Sequence, residues 1–278
     1  MYSTAKQYED NAHELSQTYS VTEYLSYFRK SKYKQIAKLF EKAAAEYTTI
    51  DNNDNASKNY FSAAYNFMLA DVLDKAAQCY ILAAKFYNPD NYKDIVTAYL
   101  HAADIYDSQR RYQMTIKCFD CVAEIYLSRG LYKESIQFYE QCVKIACREG
   151  YLSINFQEKI AVIQIMHFGY YATAITGYDS IIKKTINEPI VYPFMMISIL
   201  LRILVNEYRE TIDKYIDMYL EIKGFSTTDY YAFLRKILLI LKSDGNKRKM
   251  IDECYGIYRN KSGGFNNAVV LFLISKIE

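Results

Sequence analysis

A pattern of small and aromatic residues recurs about every 20 residues along most of the chain. In each copy a small or aliphatic residue is followed by an aromatic residue, a pair of small residues and a second aromatic residue. The spacings of three and four place these side chains on one stripe of an α-helix. Six copies begin at Ala37, Ser57, Ala77, Val96, Ile116 and Ile136, and weaker copies begin at Phe156, Ile175 and Ile212. One amphipathic helix per copy, repeated in series, is typical of an α-solenoid.

The composition supports an all-α fold. The chain has only nine glycines and three prolines in 278 residues, and it shows no alternating strand pattern. The period of a helix pair is near 40 residues, which is longer than the 34 residues of a tetratricopeptide repeat. We therefore predict a right-handed α-solenoid of TPR-like antiparallel helix pairs, followed by a C-terminal helical bundle.

The predicted organisation has three parts. Residues 1–32 should form a first helix and a hydrophobic and basic loop, residues 33–187 a helical repeat array, and residues 188–278 the bundle. Within the bundle, helices are predicted near 192–206, 208–222, 227–243, 246–259 and 264–277. Turns are expected at 51–55 and 224–229, each with a helix N-cap, and Gly130 and Gly150 stand where helix C-termini need a left-handed residue.

Charge and sequence signals narrow the functional class. The formal net charge is +2, and no part of the chain carries a domain-scale basic field, so nucleic-acid binding is not expected. The N-terminal residues lack the features of a secretory signal, so the six cysteines should be reduced in a cytoplasmic protein. The most apolar stretch, 190–205, contains Pro193 and Arg202 and is too short to span a bilayer, which favours a buried helix.

Catalytic and metal-binding motifs are weak. Cys118 and Cys121 form a lone Cys-x-x-Cys pair inside a repeat helix, without a second pair or paired histidines at zinc spacing. The sequence has no glycine-rich phosphate loop, nucleophile elbow or paired-carboxylate motif. We expect a protein that is not an enzyme and that needs no metal or cofactor.

Several segments carry a resemblance to a known family. They are Tyr33–Tyr47, Ala102–Tyr106 with Arg111-Tyr112, Val122–Tyr126, Ser135–Gln141, Ala174–Tyr178 and Gly224-Phe225-Ser226. In this order and spacing the chain resembles the soluble NSF attachment proteins, the SNAP family with its alpha and gamma types, over roughly residues 5–277. The resemblance implies an adaptor without catalytic residues. Such adaptors coat a syntaxin-type SNARE four-helix bundle and recruit the hexameric AAA ATPase NSF, which disassembles the bundle after membrane fusion in vesicle-mediated transport.

The family's hydrophobic N-terminal loop corresponds to the break in the repeat pattern at 20–33. Its apolar residues here would be Tyr24, Leu25, Tyr27 and Phe28, and its cations would be Arg29, Lys30 and Lys32. Aromatic and aliphatic residues next to cations are typical of peripheral membrane attachment. Tyr24 and Phe28 are four residues apart, which is a helical spacing. In the alternative interpretation, they therefore extend the first helices into the core.

The resemblance also implies a SNARE-binding site of cations. Arg111 and Lys117 have the spacing of six that alpha-type members show, and Arg110 and Lys159 are further candidates. At the next position of the family's series the chain has Met195 and Met196, so one basic contact is absent. For each of these cations the alternative is an ordinary solvated helix face.

The resemblance also implies that the last helix of the chain contacts NSF. Leu271, Phe272 and Leu273 stand at the family's Leu-Leu position, and Glu278 is the only acidic residue where the family has an acidic tail. Alternatively, this helix only caps the solenoid. Two functional alternatives therefore stay open: a SNAP-like scaffold for another protein partner, or a decoy that binds SNAREs without activating NSF.

Overall fold

The computed structural model describes residues 2–18, 26–151, 153–243, 246–261 and 267–277. Over these residues every regular element is helical. The α-helices are α1 (Tyr2–Gln17), α2 (Ser26–Thr49), α3 (Asn53–Leu69), α4 (Leu73–Phe86), α5 (Tyr92–Ser108), α6 (Tyr112–Ser128), α7 (Tyr132–Arg148), α8 (Ile154–Ile163), α9 (Tyr171–Thr185), α10 (Val191–Leu204), α11 (Arg209–Leu220), α12 (Asp229–Lys242), α13 (Lys247–Lys261) and α14 (Asn267–Lys276). A π-helical turn, Gln164–Phe168, extends α8, and a 3-10 turn, Phe225–Thr227, precedes α12.

The paired small residues of the repeat form the helix contacts, as the pattern predicts. Each helix from α1 to α6 packs on the next one along the chain, so that the series ends with α7 on α6. Ala43 and Ala44 in α2 and Ala63 and Ala64 in α3 are all completely buried. Side chains without bulk let neighbouring helix backbones approach closely, and the flanking aromatic rings fill the remaining space. The prediction of serially packed helical repeats is confirmed.

The turns follow the local chemistry that the sequence indicates. Gly130 and Gly150 both have φ near +73°, the left-handed conformation expected after a helix C-terminus. At the start of α3 the N-cap is Asn52, whose side-chain oxygen accepts a hydrogen bond from the Asn55 backbone N–H at 3.3 Å. At the start of α12, Thr228 caps in the same way.

The chain forms two compact units, Met1–Tyr151 and Leu152–Glu278. The first contains α1 to α7. The second surrounds α10, whose residues from Pro193 to Arg202 are all buried, and α9, α11, α12 and α14 pack on it. The apolar stretch predicted as a buried helix is therefore the centre of this unit. The domain boundary near residue 187, which rests on the loosening of the repeat, stays a prediction.

One boundary differs from the sequence-based expectation. The first repeat helix was expected near residue 33, but α2 begins at Ser26, so residues 26–32 are helical and not part of a loop. The segment contains no glycine or proline to stop the helix. It also joins directly onto the strongly periodic residues that follow. Among the described helices none combines the length and apolar character needed to cross a bilayer.

Candidate functional site

Alternate helices of the first unit lie side by side in two layers. Lys75 in α4 forms an ion pair with Glu41 in α2, with 2.9 Å between Nζ and Oε1. Asp74 in α4 pairs with Arg111, the N-cap residue of α6, at 2.6 Å. We call α2, α4 and α6 the even layer. In the odd layer, α1, α3, α5 and α7, the ring of Phe61 in α3 contacts that of His101 in α5.

The two layers differ in charge. The even layer contains nine basic and five acidic residues, a net charge of +4, whereas the odd layer contains six basic and nine acidic residues, a net charge of −3. Only two acids of the even layer are exposed, Asp74 and Glu124. Its exposed cations are Arg29, Lys30, Lys34, Lys38, Lys42, Lys75, Lys85 and Lys117. The even layer therefore presents a positive surface.

The repeat places three of its polar residues in register. Lys38, Gln78 and Lys117 each follow the first residue of a pattern copy, and all three are exposed, on α2, α4 and α6 respectively. Neighbouring helix axes in a packed layer are about 10 Å apart. Because they occupy the same position of the repeat, we expect Lys38 and Lys117 at corresponding heights on α2 and α6, with the Gln78 amide on α4 between them.

Three of the predicted SNARE-binding cations lie together at the start of α6. Arg110 is exposed in the turn before it, with φ of +58°. Lys117 is exposed two turns further along. Arg111 lies between them and is already engaged, because its guanidinium pairs with Asp74 and stacks 5.0 Å from the ring centre of Tyr106. The fourth candidate, Lys159, belongs to α8 of the second unit and lies over the ring of Phe156.

Internal pairing separates the even-layer cations into two groups. Lys30 pairs with Asp71 at 2.8 Å, and Lys75 pairs with Glu41. In contrast, the described part of the chain provides no ion-pair partner for Lys34, Lys38 or Lys117. These three lysines can attract an external acid without giving up an internal contact.

The predicted membrane-attachment residues are only partly described. Tyr24 and Leu25 lie outside the described residues, and so do the side chains of Tyr27 and Phe28, although their backbone belongs to the first turn of α2. The cations that follow can be placed. Arg29 and Lys30 are exposed, while Lys32 is half-buried and donates a hydrogen bond to the backbone carbonyl of Thr18.

The three predicted NSF-contact residues point in different directions from α14. Leu271 is 46% exposed, whereas Leu273 is completely buried in the core of the second unit. Phe272 is half-buried against that core, and Lys276 lies over its ring at 5.6 Å. Successive residues of a helix are about 100° apart, so a helix that packs through Leu273 presents Leu271 to solvent.

Sequence reasoning missed a buried charged cluster in the second unit. It treated Arg202 only as an interruption of the apolar stretch, yet this side chain is 2% exposed and pairs with Asp179 at 2.6 Å and Glu207 at 3.4 Å. Its guanidinium also stacks 3.7 Å from the ring centre of Tyr215. The available signal was the position itself, because an arginine on a helix that is buried on all sides requires acidic partners.

The two cysteines of the lone Cys-x-x-Cys pair, Cys118 and Cys121, are packing residues: Cys118 is buried and Cys121 is half-buried. Burial raises the pKa of the Cys118 thiol to about 12, and it also raises the pKa of Cys121. A thiol with a raised pKa is a poor nucleophile and a poor metal ligand. Within the described ranges no three or more His, Cys, Asp or Glu side chains are grouped in a way that could hold a metal ion.

These features define a protein built from α-helical repeats, whose distinctive surface is a charged helix layer. A model of the family described as "Soluble NSF attachment protein, SNAP" matches residues 3–256, and the chain belongs to this family. Proteins of the family are non-enzymatic adaptors.

Individual relatives are distant. The chain is 24% identical over 159 residues to the alpha-soluble NSF attachment protein of Vitis vinifera; the match covers 57% of the chain and 55% of the relative, about half the length of each. Among solved structures, the TPR-like repeats of a putative kinesin light chain from Podosopora anserina are 13% identical, with a TM-score of 0.36 over 81% of this chain and 97% of that one. The quorum sensor NprR from B. thuringiensis is also 13% identical, with a TM-score of 0.37 over 98% and 92%.

Proposed function

We propose that this protein is an adaptor that binds a SNARE four-helix bundle through the even layer of its first unit. It would then recruit an NSF-type ATPase that disassembles the bundle in vesicle-mediated transport. Family membership supports the adaptor role, and the opposite net charges of the two layers are the observation that carries the choice of surface. SNARE bundles are acidic on the outside, so the positive layer is the one that complements them.

The binding would be distributed over many weak contacts. An exposed ion pair contributes only about 0.2–1 kcal/mol, so one lysine is not sufficient. Lys34, Lys38 and Lys117 can contribute without losing an internal partner, whereas Arg111 must exchange Asp74 for a SNARE carboxylate. Several such cations on one helix layer also attract and orient an acidic SNARE bundle before contact. This attraction weakens as the salt concentration increases.

Peripheral contact with a membrane is part of the proposal. Arg29 and Lys30 are exposed at the start of α2, and each cation near an anionic surface adds about 1 kcal/mol of attraction. The apolar residues Tyr24, Leu25, Tyr27 and Phe28 would enter the headgroup region. The protein would thus act in the cytoplasm at the membrane surface. Sedimentation with phosphatidylserine vesicles, but not with phosphatidylcholine vesicles, tests this step.

A second candidate is an adaptor that binds SNAREs without activating the ATPase. The observation that favours it is the limited exposure of the proposed ATPase contact. Of Leu271, Phe272 and Leu273, only Leu271 is substantially exposed, and Leu273 is already used in the core. A single leucine offers an ATPase a small apolar contact.

Charge reversal on the two layers tests the choice of surface. The variant Lys38→Glu with Lys117→Glu reverses two even-layer charges, and Lys58→Glu with Lys133→Glu makes the same change on the odd layer. Fluorescence anisotropy of a labelled SNARE bundle should show at least about tenfold weaker binding for the even-layer variant. The odd-layer variant should bind within about twofold of the wild type. Equal losses in both variants, or binding that does not respond to salt, would contradict the proposal.

A disassembly assay then separates the two candidates. A fluorescently labelled SNARE bundle is mixed with NSF and ATP, and this protein is the only adaptor. Disassembly establishes the adaptor function. Binding of the bundle without disassembly supports the second candidate, and the absence of both binding and disassembly excludes both.

A further inference from the structure

One face of the α12–α13 hairpin is exposed and apolar. Leu239 on α12 is 57% exposed, and Met250 and Ile257 on α13 are 37% and 51% exposed. Between the two helices these residues line an open groove of about 300 Å³, with Ile240 and Cys254 at its base. Exposed apolar side chains that cluster along one groove are typical of an interaction surface.

The residues along this groove form three rungs. In an antiparallel helix hairpin both helices rise 1.5 Å per residue, so residues whose numbers have a constant sum lie at the same height. By this rule Leu239 lies level with Met250, Lys236 with Glu253, and Ala232 with Ile257. Phe233 and Tyr258, whose ring centres are 4.5 Å apart, agree with this register to within two residues. The outer rungs are apolar and the central rung is charged.

The two charges of the central rung are free to meet a partner. Lys236 is exposed, and no described residue forms an ion pair with it. The carboxylate of Glu253 reaches the Lys249 ammonium only at 4.0 Å, and the two side chains are 66% and 75% exposed, so this contact is weak. The groove therefore carries an available cation on one wall and an available anion on the other.

This arrangement is complementary to itself. A two-fold axis that runs parallel to the hairpin, above its groove, would place α12 of each copy over α13 of the other at the same height. Lys236 would then meet Glu253 of the second copy, and the reciprocal pair would form by symmetry. On either side of this pair, Leu239 would meet Met250, and Ala232 would meet Ile257. The dimer would thus form the charged contact and both apolar contacts in a single arrangement.

We propose that the α12–α13 face is a self-association surface, and that its occupant is a second copy of this chain. The contact is limited to one hairpin per copy, which is typical of weak, concentration-dependent association. A helix from another protein would need an acid and a base at matching heights on two different sides of the groove. A second hairpin of the same sequence provides this pattern without further requirements.

The oligomeric state of charge-swapped variants tests the proposal. Sedimentation velocity from about 5 to about 300 μM should show a monomer–dimer equilibrium for the wild type. Lys236→Glu and Glu253→Lys should each weaken dimerisation at least about tenfold, because each places like charges opposite one another twice. An equimolar mixture of the two variants should restore dimers, because every repulsive pair becomes attractive in the mixed species.

The mixing experiment distinguishes binding from folding, because a misfolded variant is not rescued by another misfolded variant. Leu239→Asp should also abolish dimers. Met218→Asp, which changes a similarly exposed side chain on α11, should leave them unchanged. A wild type that stays monomeric over the whole concentration range would overturn the proposal. Failure of the mixture to restore dimers would also overturn it. If the groove binds only a helix from another protein, the wild type will stay monomeric over the whole concentration range.

Discussion

The guanidinium of Arg202 in α10 lies 2.6 Å from the carboxylate of Asp179 in α9, although only 2% of the arginine side chain is exposed. Ser198 Oγ donates a hydrogen bond to the same carboxylate at 3.0 Å, and Tyr215 of α11 packs against the guanidinium. One buried cation therefore links three helices of the second unit.

Removal of Asp179 and removal of Arg202 should lower the free energy of unfolding by different amounts. Asp179→Ala leaves a buried arginine with Glu207 as its remaining acidic partner, and we expect it to lower the free energy of unfolding by about 3 kcal/mol. Arg202→Met leaves Asp179, whose side chain is about one-third exposed and can be solvated, so a smaller loss of about 1–2 kcal/mol is expected. Urea denaturation measures both values. A larger loss for Arg202→Met would show that the arginine acts mainly through packing.

Gly224 should not tolerate a side chain. Its φ is +92°, and an added Cβ would lie 2.8 Å from Tyr192 Oη, which itself donates a hydrogen bond to the Lys223 carbonyl. Gly224→Ala should therefore destabilise the protein by about 1–3 kcal/mol, from backbone strain and from displacement of the tyrosine. The matched control is Gly256→Ala in α13, where an added Cβ would meet no side chain and no other helix within 4 Å. There the better helix propensity of alanine should stabilise by about 0.5–1 kcal/mol. Thermal unfolding distinguishes the two signs.

Buried tyrosines should make the fold sensitive to alkali. Burial raises the pKa of Tyr80 and of Tyr219 to about 12, whereas an unfolded tyrosine ionises near pH 10. Between these values the unfolded state has released protons that the native state keeps, so stability is present below pH 10 and falls as the pH rises. At pH 11 the two residues together should lower the free energy of unfolding by about 3 kcal/mol.

Urea denaturation at pH 9, 10 and 11 measures this loss. Tyr80→Phe should reduce the loss at pH 11 by about 1.4 kcal/mol, while Phe in place of the 88%-exposed Tyr208 should leave the pH profile unchanged. A profile that is flat up to pH 11 would contradict the assignment.

The sequence was sufficient for the repeats because their signal is local. The paired alanines of α2 and α3 are buried as the spacing predicts, and Gly130 and Gly150 occupy the left-handed positions expected of them. These features depend on helix geometry and on the backbone freedom of single residues, both of which can be read from a short window.

The sites depended on information that such a window lacks. A total charge of +2 conceals layers of +4 and −3, because the separation becomes visible only when alternate helices are grouped. Similarly, the position of Arg111 in the sequence suggests a free cation, but Asp74 comes within 2.6 Å through a contact 37 residues away in sequence. Long-range pairing of this kind is set by tertiary packing and not by local pattern.

The same reasoning separates the roles of two leucines in α14. Leu273→Ala removes a completely buried side chain and should destabilise the second unit by about 2–5 kcal/mol. Leu271→Ala changes an exposed side chain, and its effect on stability should stay within about 0.5 kcal/mol. If Leu271 contacts the ATPase, this variant should bind SNARE bundles normally but support disassembly several-fold more slowly, with an unchanged urea midpoint. Normal disassembly by Leu271→Ala would remove α14 from the proposed ATPase contact and leave it a structural helix of the second unit.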